Sequence, residues 1–172
     1  DVAVEFHSLS KTYNMTGWRC GWAVASKAIC SVLTRVKSFV DTGAYMGIQY
    51  AGVAAIESWE SFLPGNVETF RERRDAAVSA FQEADFEVES PKATMYLWIP
   101  LPEGISSAQF ADRLMEDEGV IALPGSAFGA GGEGFFRISF ITNPDRLREA
   151  SQRAGRVLEK MGSESIKTAI GR

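Results

Sequence analysis

The feature that most constrains this chain lies near its start, where Ser8-Leu9-Ser10-Lys11 is followed by Thr16-Gly17-Trp18-Arg19-Cys20-Gly21. One lysine and one arginine stand in a polar, glycine-punctuated segment between two apolar runs, Val2-Ala3-Val4-Glu5-Phe6 and Trp22-Ala23-Val24-Ala25. Both runs read as short strands, the first of them buried, so the hydroxyls of Ser8 and Ser10 crowd the turn that carries Lys11. The lysine is then expected to face inward, toward whatever the turn encloses.

A lysine that is buried or flanked by cations gives up part of its protonation, and the free amine attacks carbonyls to form a Schiff base. Arg offers a planar fork of donors and Ser a short neutral one, a set suited to a phosphate. An aldehyde that also carries a phosphate meets both requirements, and pyridoxal phosphate is such a compound. Taken alone, Lys11 reads as readily as an exposed loop lysine, and Arg19 as a charge at a strand edge. The full run from Ser8 to Gly21, Ser-Leu-Ser-Lys-Thr-Tyr-Asn-Met-Thr-Gly-Trp-Arg-Cys-Gly, narrows the choice. It resembles the cofactor-lysine signature of the class I/II aminotransferases, pyridoxal phosphate enzymes of fold type I. In that family the lysine holds the cofactor as a Schiff base and then moves the substrate Cα proton to the cofactor C4′ position. A serine before it and an arginine after it hold the phosphate; by position these are Lys11, Ser8 and Arg19. Cys20 departs from the aliphatic residue usual there, and a small cysteine should be tolerated.

Composition sets limits on the partners. With 45% hydrophobic residues the chain of 172 residues has enough apolar material for a packed core, and its net charge is -4. That acidity, with no basic run, argues against nucleic acid or an anionic membrane as the main partner. Cys20, Cys30 and His7 are the only cysteines and the only histidine, so metal-ligand spacing is missing and a disulfide framework is not expected. No long apolar run or signal-like start is visible, and the expectation is a soluble, cytoplasmic protein. The chain starts at Asp1 rather than Met, and is expected to be a fragment or a processed product.

Along the chain, Lys27 to Phe39 has helical spacing of Ile29, Val32, Leu33 and Val36, and Arg35 and Lys37 fall on the solvated side. Gly43 and Gly47 mark a break, Ile48 to Phe62 resumes a mostly apolar helix, and Pro64-Gly65 should end it. From Asn66 a second helix carries Val67, Phe70, Ala77, Val78 and Phe81, with the charges of Arg71 to Asp75 on a solvated face. Phe86-Glu87-Val88-Glu89 alternates as an edge strand would, and Met95 to Ile99 is a compact apolar strand stopped by Pro100 and Pro102. Ser106 or Ser107 should cap a helix ending at Gly119, with a short strand at Val120-Ile121-Ala122 after it. The glycine-rich loop Pro124 to Gly132 reads as a flexible connection, since no helix start follows it to cradle a phosphate. Phe135 to Phe140 is a strand with Phe136, Ile138 and Phe140 on one face and Phe135, Arg137 and Ser139 on the other. Asn143-Pro144-Asp145 caps a last helix, and Ser163 to Arg172 reads as a frayed tail. No internal repeat is visible, and the helices and strands after Pro64 suggest an α+β domain.

Arg137 is the second residue expected to carry chemistry. Alone it would be an ordinary exposed strand charge, but Phe136-Arg137-Ile138-Ser139-Phe140 is similar to the family strand whose arginine grips the substrate α-carboxylate bidentately. Val36 to Gly43 and Ile48 to Gly52 resemble the segment that reaches a neighbouring subunit's active site. This implies a homodimer, with Thr42 and Gly43 as weaker candidates across its interface. The resemblance runs from about Val4 to Met161 and is nearest to the LL-diaminopimelate aminotransferase subgroup. It rests there on Val4 to Ser8, Asp41-Thr42-Gly43, Pro91 to Pro100 and Pro124 to Gly129, with Thr42 in place of a usual Ser.

The implied fold is α/β and α+β: residues 1-63 as the C-terminal part of the large pyridoxal phosphate-binding α/β domain, 64-162 as the small C-terminal α+β domain, and 163-172 as a tail. The implied function is transamination between an amino acid and a 2-oxo acid, LL-diaminopimelate with 2-oxoglutarate being the favoured pair. The family's N-terminal half supplies a further phosphate loop, an aromatic on the cofactor ring and an Asp at its nitrogen, and no residue here takes those roles. The isolated chain is therefore expected to bind the cofactor weakly and not to transaminate. A lyase of the same fold, or a non-catalytic aminotransferase-like module, are the alternatives.

Overall fold

The computed structural model describes residues 2–170, with side chains as far as Ser163. The chain divides into two compact units, Asp1–Val67 and Glu68–Arg172.

In the first unit β1 (Val4–Ser8) pairs antiparallel with β2 (Gly21–Ala25), running from Val4 opposite Ala25 to Ser8 opposite Gly21. Only a glycine fits opposite Ser8, because a Cβ on Gly21 would come 2.5 Å from the His7 carbonyl oxygen. The directly opposed His7 and Trp22 stack their rings at 5.4 Å. Between the strands lie the one-turn helix α1 (Leu9–Thr12) and a 3-10 turn at Thr16–Trp18. The expectation of a buried first strand is corrected: every residue of β1 is exposed, Phe6 at 73%. A two-stranded ribbon has no third strand to bury its flanks, and only Leu9 and Met15 in the intervening segment are buried.

Ser26 caps α2 (Lys27–Val40), accepting from the Ile29 N–H, and α3 (Met46–Glu57) follows. The helix break expected at Pro64 falls instead at Ser58, and α4 (Trp59–Glu83) runs through the proline. Pro64 forfeits one backbone donor in a helix of 25 residues, a local cost that the rest of the helix absorbs without a break. Within the first unit Asn66 ties the start of α4 to the lysine segment: its Oδ1 accepts from Asn14 at 3.0 Å and its Nδ2 donates to the Thr12 carbonyl at 3.3 Å.

The second unit is built on a three-stranded antiparallel sheet in the order β3 (Tyr96–Pro100), β5 (Phe135–Ser139), β4 (Leu123–Pro124). Alternation along β5 behaves as the sequence suggests, with Phe136 and Ile138 buried and Arg137 half-buried on the opposite face. Phe136 packs with Phe81, Phe86 and Phe110, the last at 4.8 Å between ring centres, and Leu97, Leu114, Phe140 and Val157 complete the core. Helix α5 (Ser107–Glu118) ends at Gly119 with φ +65°, and α6 (Pro144–Ile170) starts with Asn143 accepting from the Arg146 N–H at 3.0 Å.

Four expectations for this unit are corrected. Phe86 to Glu89 is extended but joins no ladder; its alternation reflects burial of Phe86 and Val88 in the core rather than strand pairing. The short strand expected at Val120 to Ala122 lies instead at Leu123–Pro124, since the Gly119 turn takes up the preceding residues and the Val120 N–H is spent on the Leu114 carbonyl. Ser106 holds the expected cap position of α5 but makes no side-chain cap bond, and the Ser107 N–H is met by Glu133 Oε1 at 2.8 Å instead. Finally, α6 continues through residues 163–170, where a tail was expected, and residues 171–172 lie outside the described residues. Among the described residues no helix is long and apolar enough to cross a membrane.

Candidate functional site

In the first unit, Ser8 ends β1 and caps α1. Its Oγ accepts from the Ser10 N–H at 3.1 Å and lies 2.9 Å from Ser10 Oγ, so the two hydroxyls form one polar pair. Thr16 Oγ1 donates to the Ser10 carbonyl at 2.9 Å, fastening the 3-10 turn to α1. Arg19 leaves that turn in the left-handed conformation, φ +53°, and its Nη1 donates back to the Thr16 carbonyl at 2.9 Å. Among the described residues the guanidinium makes this one bond, which leaves its other donors available. An open cleft of about 400 Å³ is lined by Ser8, Ser10, Arg19, Gly21, Trp22 and Lys37, and its lining contains no carboxylate.

Lys11 is the correction in this region. It does not face inward and it is not among the residues lining the cleft; its side chain is exposed. The cause is the helix itself. Leu9, 1% exposed, points into the unit, and a residue two positions on is turned by about 200° around the axis, so Lys11 points away. The structure therefore gathers Ser8, Ser10 and Arg19 on one cleft and leaves Lys11 on the far side of α1 from Leu9.

Thr42 and Gly43 lie between α2 and α3, both exposed. Asp41 Oδ1 accepts the Gly43 N–H at 2.9 Å, and Gly43 has φ +105°, a conformation that favours glycine. Lys37 pairs with Asp41 and, with the Gly43 N–H, holds its carboxyl below the ordinary value.

In the second unit the Arg137 guanidinium is held between two rings, 4.1 Å from the centre of Tyr96 and 4.5 Å from that of Phe128. Trp98, directly opposite Arg137 across the β3–β5 ladder, stacks on Phe135 and meets Phe128 edge-on, both at 5.6 Å. Among the described residues the guanidinium has no hydrogen-bond or ion-pair partner. Its faces are covered and its donor edge is unpaired, beside an open cleft of about 950 Å³ reached also by Lys92 and Thr94. A planar carboxylate fits such a fork edge-on.

Tyr96 and Phe128 were not singled out from the sequence. Tyr96 had a usable signal, since strand alternation puts it with Trp98 on the face that carries Arg137. Phe128 had none, because it reaches Arg137 only through the fold of the glycine-rich loop.

The donor set around the first cleft, two linked hydroxyls and a guanidinium, suits the phosphate of pyridoxal phosphate. Comparison with known proteins bears on the same chemistry. LL-diaminopimelate aminotransferase of Moorella thermoacetica is 44% identical over 161 residues, covering 94% of this chain and 41% of the relative. The enzyme of that name from Maridesulfovibrio salexigens is 41% identical over 157 residues, 91% of this chain and 40% of the relative. Among solved structures, a probable N-succinyldiaminopimelate aminotransferase from Thermus thermophilus superposes with a TM-score of 0.84 at 39% identity, covering 90% of this chain and 42% of that one. An aspartate aminotransferase from Thermotoga maritima gives 0.82 at 31% identity, covering 91% and 40%. The chain thus spans about two fifths of the length of these relatives. The family model for aminotransferase class I and II matches residues 1–153, and the chain belongs to that family of pyridoxal phosphate-dependent enzymes, of fold type I.

Proposed function

We propose that the chain serves the transfer of an amino group between an amino acid and a 2-oxo acid, with LL-diaminopimelate and 2-oxoglutarate as the pair. The observation that carries this reading is the Arg137 guanidinium, stacked on both faces and unpaired at its edge, a ready receptor for the α-carboxylate common to both substrates. LL-diaminopimelate as the amino donor is supported by the names of the relatives at 41% and 44% identity, both LL-diaminopimelate aminotransferases.

Bound at this site, pyridoxal phosphate would supply an aldehyde for the amine and a ring that withdraws electrons from the substrate Cα. Ser8 and Arg19 would hold its phosphate, with Ser10 fixing the Ser8 hydroxyl. Lys11, exposed on α1, would hold the cofactor through Nζ and move the substrate Cα proton. Arg137 orients the substrate through its carboxylate. Residues 1-63 belong to the large cofactor-binding domain and 64-162 to the small domain. The complete enzyme is a cytoplasmic homodimer, with Thr42 and Gly43 contributing across its interface. The 172-residue chain alone binds the cofactor weakly and does not transaminate.

The test is a pyridoxal phosphate titration of the chain, followed by borohydride reduction and peptide mapping. Saturable binding with the adduct on Lys11, weakened by Arg19→Gln, is expected. Label spread evenly over surface lysines would show that the isolated chain holds no cofactor pocket at Lys11, and turnover by the isolated chain with an amino donor and 2-oxoglutarate would overturn the predicted inactivity.

A further inference from the structure

Phe128, which covers one face of the Arg137 guanidinium, is itself 50% exposed, so core packing does not hold it in place. It ends the 3-10 turn Gly125–Phe128, and a second turn, Ala130–Gly132, follows at once. The two turns are pressed together. A Cβ on Gly125 would lie 2.0 Å from the Gly132 carbonyl oxygen, and one on Gly132 would lie 2.1 Å from that of Gly125. The folded loop is anchored at a single polar knot. Ser107, fully buried at the start of α5, donates its N–H to Glu133 Oε1 at 2.8 Å and its hydroxyl to Glu133 Oε2 at 2.9 Å. The same hydroxyl accepts the Ser126 N–H at 3.3 Å and lies 3.0 Å from Ser126 Oγ.

We infer that Glu133 is a positioning residue for Arg137: through Ser107 and Ser126 it locks the glycine-rich loop so that Phe128 stays over the guanidinium. Both Glu133 carboxylate oxygens accept from Ser107, so its link to Phe128 runs through the loop. The bonds from Ser107, the backbone N–H foremost, hold its carboxyl below the ordinary value and keep it ionised near neutrality. A loop rich in glycine would otherwise sample many conformations, and the stack on Arg137 would be intermittent. Its importance for catalysis rests on the reading of Arg137 as the carboxylate receptor; the mechanical link itself does not.

The test measures the rate at which phenylglyoxal modifies Arg137 in the full chain, resolved peptide by peptide, without ligand. Phe128→Ala should raise that rate about two- to fivefold, the weight of one cation–π face, and Glu133→Ala should match it, with Glu133→Gln in between. The rates at Arg146 and Arg148 should stay unchanged. An accelerated Phe128→Ala with Glu133→Ala at the unsubstituted rate would overturn the link, as would no acceleration in either. Should Glu133→Ala speed every arginine alike, Ser107→Ala decides, since it removes the hydroxyl that both Ser126 contacts share and leaves the Ser107 N–H on Glu133. An unchanged Arg137 rate there overturns the assignment. A parallel arm asks whether 2-oxoglutarate protects Arg137 in the unsubstituted chain, and its failure would count against the carboxylate reading alone.

Discussion

The guanidinium of Arg137 lies 4.1 Å from the centre of the Tyr96 ring, on the neighbouring strand and two pairs along the ladder from its own partner Trp98. A cation this close to a ring face, half-buried, contributes about 1 kcal/mol beyond simple burial. A double-mutant cycle with Tyr96→Leu and Arg137→Met, read by urea unfolding, should return a coupling of that size. A coupling near zero would mean that the stack is incidental.

Gly125 and Gly131 lie in the same loop and should behave oppositely. A methyl at Gly125 meets two backbone oxygens, of Gly132 at 2.0 Å and Phe135 at 2.7 Å, which cannot swing aside. Gly125→Ala is expected to cost about 3 kcal/mol or more. Gly131 has nothing within 4 Å of its would-be Cβ, and Gly131→Ala should stay within about 0.5 kcal/mol. Equal costs would show that the loop is not pressed together as described.

Glu118, at the end of α5, forms an ion pair with Arg156 of α6 at 2.5 Å. The Arg156 hydrogen bond is the main reason that its carboxyl titrates below the ordinary 4.5, with Lys160 and Arg153 assisting. A carboxyl depressed in the folded state stabilises above the unfolded value and loses that contribution as pH falls through the folded one. Thermal unfolding from neutral pH downward should show the advantage over Glu118→Gln intact above about pH 4.5 and shrinking below it. Salt should reduce it, because Arg156 is half exposed. An advantage that grows on acidification would contradict the pairing.

Phe136 is fully buried among Phe81, Phe86 and Phe110. Phe136→Ala should destabilise the second unit by about 3–5 kcal/mol, while leaving the far-ultraviolet dichroism of the folded chain nearly unchanged. Denaturant titration checks the size, and a loss under about 1 kcal/mol would place the core elsewhere.

What was legible in the sequence was local. The alternation of Phe135 to Ser139, the Asn143-Pro144 helix start and the spacing of α2 each depend on neighbours within a few residues, and each appears as read. Pro64 misled because a proline costs a helix one backbone donor without having to end it, and α4 runs through it from Trp59 to Glu83. Phe86 and Val88 misled because alternation reports which side is buried, not whether a strand is paired. The direction of Lys11 depended on Leu9 taking the inward position of a one-turn helix, where a turn had been expected. Glu133 was invisible because its partner Ser107 stands 26 residues away in the chain.

In the second unit's sheet, the central strand is the last to be made. β5 lies between β3 and β4 but follows both along the chain. Neither β3 nor β4 can form a ladder until Phe135 to Ser139 arrives, so the sheet cannot zip outward from a hairpin as it is synthesised. Its closure waits on non-local pairing, which slows folding and leaves Leu97 and Ile99 in need of cover in the meantime.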